Sequence, residues 1–277
     1  MSRAASPPRS PPDGATPADA EVGPAICAVE AGGPVLSLLV AADDDAADLE
    51  VPEAHPSVSV VIPTMNEAEN LAYVLERIPT WVDEVVIVDG HSTDDTVAVA
   101  LRIRPDAVIV MQDGKGKGNA LSCGFKSVTG DITVMLDADG STDPSEIPRF
   151  VAALTNGFDF AKGTRFVTGG GSDDITGVRR FGNWGITSLV NKIWGVNYSD
   201  LCYGYNAFWT KSTPEVGDCN GFEVETLMGI RTAVLNLRVV EIPSYEANRR
   251  SGESNLKAGR DGARVARTII AEWVRPS

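Results

Sequence analysis

The stretch Val-Ser-Val-Val-Ile-Pro-Thr-Met-Asn-Glu at residues 58–67 is a β-branched apolar run that ends at a proline and a group of polar side chains. Such a run predicts a buried strand over residues 58–62. The next residues place Leu71, Val74, Leu75 and Ile78 at helical spacing, which predicts a helix over residues 66–78.

The same alternation continues along the chain. We predict further strands over 84–89, 107–111 and 132–137, with helices from Ser92 to about 104 and over 118–128. Four alternations with short connections indicate an α/β fold, with a doubly wound, mainly parallel sheet and helices on both faces.

Acidic residues follow three of the four predicted strands. Glu67 lies beyond the first strand, Asp89 ends the second, and Asp137 and Asp139 lie at the end of the fourth. Ligands of open α/β sheets bind beyond the carboxyl ends of the strands. Helix capping accounts well for Ser92 and Asp94 but poorly for Asp89 and Asp137.

The segment Asp137-Ala138-Asp139 sets two carboxylates at this edge with one small residue between them. Hard oxygen donors of this kind suit Mg²⁺ or Mn²⁺, which keep the rest of their ligand shell for water and phosphate. A nucleoside diphosphate is then the natural ligand, and the metal would stabilise its departure. The lysines of Gly114–Gly118 either meet phosphate or belong to a solvated loop, and the segment is not a P-loop.

Composition sets wider limits. The chain has 277 residues, 43% hydrophobic and 22% charged, with a net charge of −14 that argues against a protein that coats nucleic acid. Four cysteines without CxxC spacing and two histidines favour neither a disulfide scaffold nor a zinc site. With no evident membrane span or secretory signal, we expect a cytoplasmic protein.

Residues 1–55 differ from the rest of the chain. They are rich in Pro, Ala, Gly and Asp and contain ten acids and two arginines, a net charge of −8. We predict a disordered or loosely attached tail, with a docking arm for a basic partner as the alternative. The expected domains are then this tail, a catalytic domain over 56–257 and an amphipathic C-terminal helix over 258–277.

Four segments in order resemble the family-2 glycosyltransferases of GT-A (Rossmann-like) fold. They are Val-Val-Ile-Pro-Thr-Met-Asn-Glu-Ala-Glu-Asn-Leu (60–71), Val-Ile-Val-Asp-Gly-His-Ser-Thr-Asp (86–94), Gly-Lys-Gly-Asn-Ala (116–120) and Gly-Asp-Ile-Thr-Val-Met-Leu-Asp-Ala-Asp (130–139). Later segments agree, at 162–166, 200–205, 221–225 and 249–256. The chain looks most similar to the dolichyl-phosphate mannose synthase and polyprenyl-phosphate glycosyltransferase branch.

The resemblance implies a set of nucleotide-sugar-binding residues. Pro63, Thr64, Asn66 and Glu67 match a loop around the base and ribose, Asp89 matches an acid that contacts the base, and Lys117 lies in a loop that covers the nucleotide. Asp137, Ala138 and Asp139 match the metal and diphosphate motif. Arg165 matches an arginine near the phosphates or acceptor, and Arg249, Ser254 and Lys257 fall in a segment that closes over phosphate.

Some positions depart from the family pattern. Met65 or its neighbour stands where the lipid-phosphate branch has Tyr, and Asn255 stands where that branch has Lys, which weakens the case for a phosphate-bearing acceptor. Ser141 stands where some members have a metal-binding Gln. His91, in place of a small residue, is either a loop residue or a contact to the base.

Three carboxylates are candidates for an acceptor-side general base: Asp200, Glu223 and Glu225. A hydroxyl acceptor needs such a base, whereas a phosphate acceptor is already ionised. Glu223 and Glu225 share a face on a strand and diverge on a helix, where one of them would favour the helix N-terminus.

Two basic regions allow two interpretations each. Arg179, Arg180, Arg249, Arg250 and Lys257 form either a rim around the diphosphate or scattered surface charge. Residues 259–274 are amphipathic at helical spacing, and the helix either packs on the domain or lies on an anionic membrane surface.

These observations predict a metal-dependent inverting glycosyltransferase that moves a hexose from a nucleoside-diphosphate sugar, of UDP-glucose or GDP-mannose type, to a polyprenyl phosphate. We expect peripheral contact with the cytoplasmic face of the membrane. The alternatives are the same donor chemistry on a soluble small molecule, and a non-catalytic nucleotide-sugar-binding module. A nucleotidyltransferase is disfavoured because the first loop is neither glycine-rich nor basic.

Overall fold

A nine-stranded sheet forms the centre of the protein. The structure, a computed structural model, describes residues 26–29, 35–40, 56–214, 216–217, 219–252 and 256–275. The strands of the sheet are β1 (Ile26–Val29), β2 (Val35–Val40), β3 (Val58–Thr64), β4 (Glu84–Asp89), β5 (Val108–Met111), β6 (Ile132–Met135), β7 (Phe160–Thr164), β9 (Asn206–Trp209) and β10 (Val239–Pro243). Two short strands, β8 (Gly171–Ser172) and β11 (Tyr245–Glu246), pair separately.

The strand order is β1-β2-β10-β7-β9-β6-β3-β4-β5. Neighbouring strands are parallel except where β9 lies antiparallel between β6 and β7 and where β1 pairs with β2. The predicted α/β class and the mainly parallel sheet are therefore confirmed.

Seven α-helices connect and cover these strands within the described residues. They are α1 (Ala68–Leu75), α2 (Thr96–Ile103), α3 (Lys117–Phe125), α4 (Ile147–Thr155), α5 (Gly177–Trp194), α6 (Val224–Val234) and α7 (Ala258–Trp273). The first three lie where the sequence predicts helices, although α1 begins at Ala68 rather than Asn66. The fourth predicted strand ends at Met135, so Asp137 lies in the loop beyond it.

The core has two layers, one on each face of the sheet. Alternate residues of β3 divide between them, since Val60 and Ile62 pack into one layer and Val61 into the other. Helices α1, α2 and α4 contribute to the first layer, and α3, α5, α6 and α7 to the second. This doubly wound arrangement leaves the carboxyl edge of the central strands open for a ligand.

Two strands fall within the segment predicted as a tail. β2 pairs in parallel with β10, Val35 opposite Val239, and β1 pairs with β2. The sequence interpretation contains no strand there, so both are additions to the predicted sheet. The rest of residues 1–55 lies outside the described residues, and the domain boundaries near 55 and 257 stay predictions.

The helices of the fold are short or carry charge along their length. In the part of the chain that the structure describes, no helix combines the length and apolar character that crossing a bilayer requires.

Candidate active site

A cavity of about 430 Å³ opens at the carboxyl edge of the sheet, and we call it the sheet cavity. Pro63 and Thr64 of β3, Gln112 after β5 and the loop Asp137–Asp139 after β6 line it. The same cavity is lined by Gly221 and Phe222 before α6 and by Lys257, Arg260 and Arg264 at the start of α7. Three strand ends and one helix thus converge on a single space.

A second cavity of about 370 Å³, the helix cavity, lies between α5 and α7. Asp137, Asp139, Lys117, Phe222 and Arg249 line both cavities, so the two meet at the acidic loop. Farther from that loop the walls of the helix cavity become apolar, with Ile175, Val178, Ile186, Leu256 and Val265.

Lys117 joins two carboxylates beneath this meeting point. Its Nζ lies 2.5 Å from Asp137 Oδ1 and 2.7 Å from Glu225 Oε1. Burial alone would lower the pKa of Lys117, but the two carboxylates outweigh this effect and hold that pKa above its usual range. For Glu225 burial is the largest effect, and it raises the pKa of the carboxyl group. The sequence places Lys117 in a covering loop; the structure places it at the first position of α3, with its ammonium inside the site.

Arg249 makes the second bridge of the site. Its guanidinium pairs with Glu67 and lies 3.3 Å from Asp139 Oδ2. Glu67 also accepts a hydrogen bond from Asn70 Nδ2 at 2.6 Å, and burial raises its pKa. The contact joins the loop after β3 to the segment before α7, 182 residues apart in sequence.

These two bridges form what we call the inner charge cluster: Glu67, Asp137, Asp139, Glu225, Lys117 and Arg249. Four carboxylates face two cations, a formal charge of −2 when all are ionised. No group of three or more metal-ligating side chains occurs among the described residues. Asp137 and Asp139 fit a divalent cation that takes two protein carboxylates and completes its shell with water and phosphate.

The residues predicted to surround the base occupy two places. Asp89 is buried at the end of β4, where Oδ2 accepts a hydrogen bond from Ser92 N at 2.9 Å and Oδ1 has no partner among the described residues. Asn66 has φ 57° and faces a separate cavity of about 350 Å³, where its Oδ1 accepts from Thr93 N. His91 binds the Gln112 carbonyl through its ring, which supports its interpretation as a loop residue.

The structure places Asp200, one of the three candidate bases, in a buried ion pair. Asp200 is fully buried, and its oxygens accept hydrogen bonds from Arg165 Nε at 2.7 Å, Arg165 Nη2 at 3.0 Å and Asn183 Nδ2 at 3.0 Å. Arg165 also contacts Glu246 at 3.0 Å and lines the helix cavity. These contacts hold the Arg165 guanidinium in one orientation, and a role of Asp200 as a base stays a prediction.

Glu223 and Glu225 diverge, as expected of neighbours at a helix start. Glu223 precedes α6 and accepts hydrogen bonds from Asn220 N and Gly221 N, at 3.3 and 3.1 Å, while its Oε2 has no partner among the described residues. Glu225 lines the helix cavity, paired with Lys117. Of the three candidates, none combines an unpaired carboxylate with a place on a cavity wall within the described residues.

The remaining predicted residues divide by position. Ala138 and Lys257 line the sheet cavity, and Ser141 lines the helix cavity. Arg179 pairs with Asp174, while Arg180 and Arg250 stack on Phe166 and Tyr73, so these arginines do not form one rim. Ser254 and Asn255 lie outside the described residues.

Sequence reasoning missed several residues of the site. Gln112, Phe222, Tyr203 and Glu246 line the cavities but belong to no motif that spacing alone shows. The glycine at position 116 is a sequence signal that could have located part of the site. Gly116 has φ 83°, and a Cβ atom there would lie 1.7 Å from the Asn220 carbonyl oxygen. The Gly-Lys-Gly pattern at 114–118 is therefore a tight turn that brings α3 against the loop before α6.

The doubly wound, mainly parallel sheet with ligand cavities at its carboxyl edge is the architecture of the GT-A glycosyltransferases. Comparison with known proteins gives the family. The model of glycosyl transferase family 2 matches residues 59–217, and the chain belongs to that family.

Two relatives are named for lipid-phosphate substrates. Dolichol-phosphate mannosyltransferase of Pyrococcus furiosus is 34% identical over 72% of this chain and 59% of its own length. Undecaprenyl-phosphate mannosyltransferase of Micrococcus luteus is 30% identical over 78% of this chain and 96% of its own length. The chain spans less than two thirds of the first of these, and this similarity supports the predicted branch of the family.

Among solved structures, glucosyl-3-phosphoglycerate synthase of Mycobacterium tuberculosis with bound UDP has a TM-score of 0.65 and 22% identity, with 80% of this chain and 82% of that chain covered. A mycobacterial protein has a TM-score of 0.70 at 22% identity, with 87% and 82% covered. At these identities the match establishes a shared fold.

Proposed function

We propose that this protein is a metal-dependent inverting glycosyltransferase that transfers a hexose from a nucleoside-diphosphate sugar to a polyprenyl phosphate. The donor occupies the sheet cavity, its base toward Thr64 and Gln112 and its diphosphate at Asp137 and Asp139. The acceptor phosphate enters from the helix cavity, which meets the sheet cavity at this acidic loop. Two cavities that share one wall suit a reaction between two substrates.

One observation carries the choice of acceptor. The three candidate bases are each unsuited to deprotonate a hydroxyl, since Asp200 and Glu225 are in ion pairs and Glu223 does not line either cavity. A phosphate acceptor needs no such base because its oxygen is already a nucleophile. The names of the two lipid-phosphate relatives agree with this choice.

The transfer is a single displacement. A phosphate oxygen of the acceptor forms a bond to the anomeric carbon while the bond from that carbon to the donor diphosphate breaks, and the electron pair leaves with the nucleoside diphosphate. Attack from the opposite face inverts the configuration. When bound by Asp137 and Asp139, Mg²⁺ or Mn²⁺ supplies charge that stabilises the departing diphosphate. Arg165, held by Asp200 and Glu246, presents a cation on the acceptor side.

The lipid chain requires an apolar exit, and α5 provides one. Val178 lines the helix cavity and is 76% exposed, and the neighbouring Phe181 and Trp184 are 72% and 63% exposed. The sequence of α5 contains two arginines and one lysine but no acid. The chain as a whole has a net charge of −14, so a helix without acids differs from the rest of it. With its exposed aromatic residues, this helix is suited to contact with an anionic membrane surface. We propose that the contact is made at the cytoplasmic face.

A thermal titration tests the donor site. UDP, GDP and dTDP are added separately, each with and without Mn²⁺, while unfolding of the protein is followed. A nucleotide at a hundred times its dissociation constant stabilises the fold by about 2.7 kcal/mol. We expect a metal-dependent shift with one nucleotide, with UDP the first choice, and its loss in Asp139→Asn but not in the exposed control Asp106→Asn. No shift with any nucleotide would contradict the proposal.

A transfer assay tests the acceptor. Labelled UDP-glucose or GDP-mannose, chosen by the titration, is incubated with a short-chain polyprenyl phosphate and, in parallel, with the alcohol that lacks the phosphate. We expect a lipid-linked product with the phosphate alone. Transfer to the alcohol or to a soluble hydroxyl compound would support the second candidate, a small-molecule acceptor, and would direct attention to the unpaired Oε2 of Glu223.

A further inference from the structure

The sheet cavity is lined by charged residues of both signs. Five members of the inner charge cluster line it, three carboxylates (Glu67, Asp137 and Asp139) and two cations (Lys117 and Arg249), a formal charge of −1. Lys257, Arg260 and Arg264, at the start of α7, line the same cavity. A divalent cation at Asp137 and Asp139 would compensate only part of the charge of a diphosphate, so further cations are needed.

The side chains of Arg260 and Arg264 share a single carboxylate among the described residues. Asp261 is buried and accepts from Lys257 N at 2.7 Å, from Arg260 Nε at 3.3 Å, and lies 3.8 Å from Arg264 Nη1. Within the described residues no other carboxylate comes within 4 Å of either guanidinium. The start of α7 therefore carries a formal surplus of two positive charges at the cavity wall.

Packing of α7 on the domain fixes the position from which these arginines extend. Val265 and Ile269 of α7 are buried in the second core layer, and Glu272 pairs with Arg231 of α6 at 3.1 Å. The Arg264 guanidinium lies over Gly221, where a methyl group would approach Nη1 to 2.6 Å. Arg260 and Arg264 keep exposed fractions of 56% and 42%, so their donors are open to a ligand.

We infer that Arg260 and Arg264 bind the diphosphate of the donor, as the cationic counterpart of the acidic residues that line the sheet cavity. The inference rests on the proposed function and extends it to α7. A helix predicted either to pack on the domain or to lie on a membrane then has its basic N-terminal turns directed at the nucleotide. Charge-assisted hydrogen bonds from guanidinium groups to phosphate oxygens are among the strong ones in proteins.

The test compares Arg260→Gln, Arg264→Gln and the double variant with Arg267→Gln, an exposed arginine of the same helix that lines neither cavity. Calorimetry with Mn²⁺ measures affinity for the nucleoside diphosphate chosen by the thermal titration and for its monophosphate. We expect each cavity variant to bind the diphosphate roughly tenfold more weakly, because it loses one charge-assisted hydrogen bond to a phosphate oxygen. The monophosphate should change by less than about threefold, and Arg267→Gln should match the wild type.

Further measurements separate diphosphate binding from a structural role or a membrane role of the same arginines. Arg260→Lys and Arg264→Lys keep the charge and should recover part of the affinity, and diphosphate binding by the double variant should depend less on salt. Wild-type diphosphate affinity in the double variant would overturn the inference while the donor site stands. Loss of binding to phosphatidylglycerol vesicles with nucleotide affinity intact would assign these arginines to the membrane instead. Absence of nucleotide binding by the wild type would remove the proposed donor site and this inference together.

Discussion

Arg165 and Asp200 form a buried two-point ion pair, with Nε to Oδ2 at 2.7 Å and Nη2 to Oδ1 at 3.0 Å. Glu246 holds the third side of the same guanidinium. The two carboxylates outweigh the effect of burial and hold the pKa of Arg165 above its usual range. Arg165 directly follows β7, Asp200 lies in the loop before β9, and Glu246 belongs to β11, so these contacts connect three parts of the chain at the helix cavity.

We predict that Asp200→Asn destabilises the fold. The amide puts an NH₂ group against guanidinium donors that the carboxylate accepted from, so buried hydrogen bonds are lost while Glu246 still compensates the charge, at a cost of about 1–3 kcal/mol. Urea unfolding measures this loss, and Asp106→Asn, which breaks an exposed pair with Arg104, should cost under about 1 kcal/mol. A variant with wild-type stability, normal nucleotide binding and no turnover would instead identify Asp200 as a base.

Glu241 is one of the carboxyl groups that make the stability of the fold depend on pH. This residue of β10 is buried beside Lys162 of β7 and Asp200, its Oε1 accepts from Ser199 N at 2.8 Å, and burial raises its pKa to about 6. The folded protein therefore binds this proton more tightly than the unfolded chain does. The resulting stabilisation is complete below about pH 4.5 and is lost as pH rises through about 6.

Glu241→Gln should remove that dependence. We expect the unfolding free energy of the variant, relative to wild type, to increase by about 2 kcal/mol between pH 4 and pH 7. Denaturant titrations across this range test it, with the exposed Glu76→Gln measured in parallel as the correction for removing a charge. A difference between variant and wild type that is constant with pH would contradict the prediction.

The first half of the catalytic domain could be predicted from the sequence because its signals are local. Each strand from β3 to β6 is rich in β-branched and other apolar residues and is followed by polar ones, and α1 places its apolar residues at helical spacing. Assigning the acids at the strand ends to a site required one further rule, that ligands bind at the carboxyl edge of the sheet. This rule was sufficient to predict that Asp137 and Asp139 belong to the site.

The second half could not be predicted in the same way because its determinants are distant in sequence. β7 contains Lys162 and Gly163, which interrupt the apolar pattern, and Lys162 is buried only because Glu241 and Asp200 lie nearby. β9 enters the sheet antiparallel after a long excursion through α5, a helix with three glycines and weak local signals. The pairing of Asp200 with Arg165 likewise requires the fold.

Two glycine substitutions should have opposite effects. Gly116→Ala forces a side chain onto a residue with φ 83° and into the Asn220 carbonyl, so it should destabilise the protein and weaken nucleotide binding. Gly185→Ala, in the middle of α5, meets nothing within 4 Å and should stabilise by up to about 1 kcal/mol. Thermal unfolding with and without nucleotide compares them, and similar effects from both would contradict the close contact at Gly116.

The membrane contact proposed for α5 depends on the exposed aromatic side chains of Phe181 and Trp184, whose ring centroids lie 5.7 Å apart. Burying such a side chain contributes about 1.5–3 kcal/mol when complete, so Phe181→Ser with Trp184→Ser should reduce binding to vesicles by at least about tenfold. Sedimentation with vesicles of one part phosphatidylglycerol to one part phosphatidylcholine measures the bound fraction. Leu235→Ser removes a comparably exposed apolar side chain at the end of α6 and serves as the control.

Because neither change touches the sheet cavity, the nucleotide affinity of both variants should stay at the wild-type value. Equal vesicle binding by all three proteins would place any membrane contact away from α5.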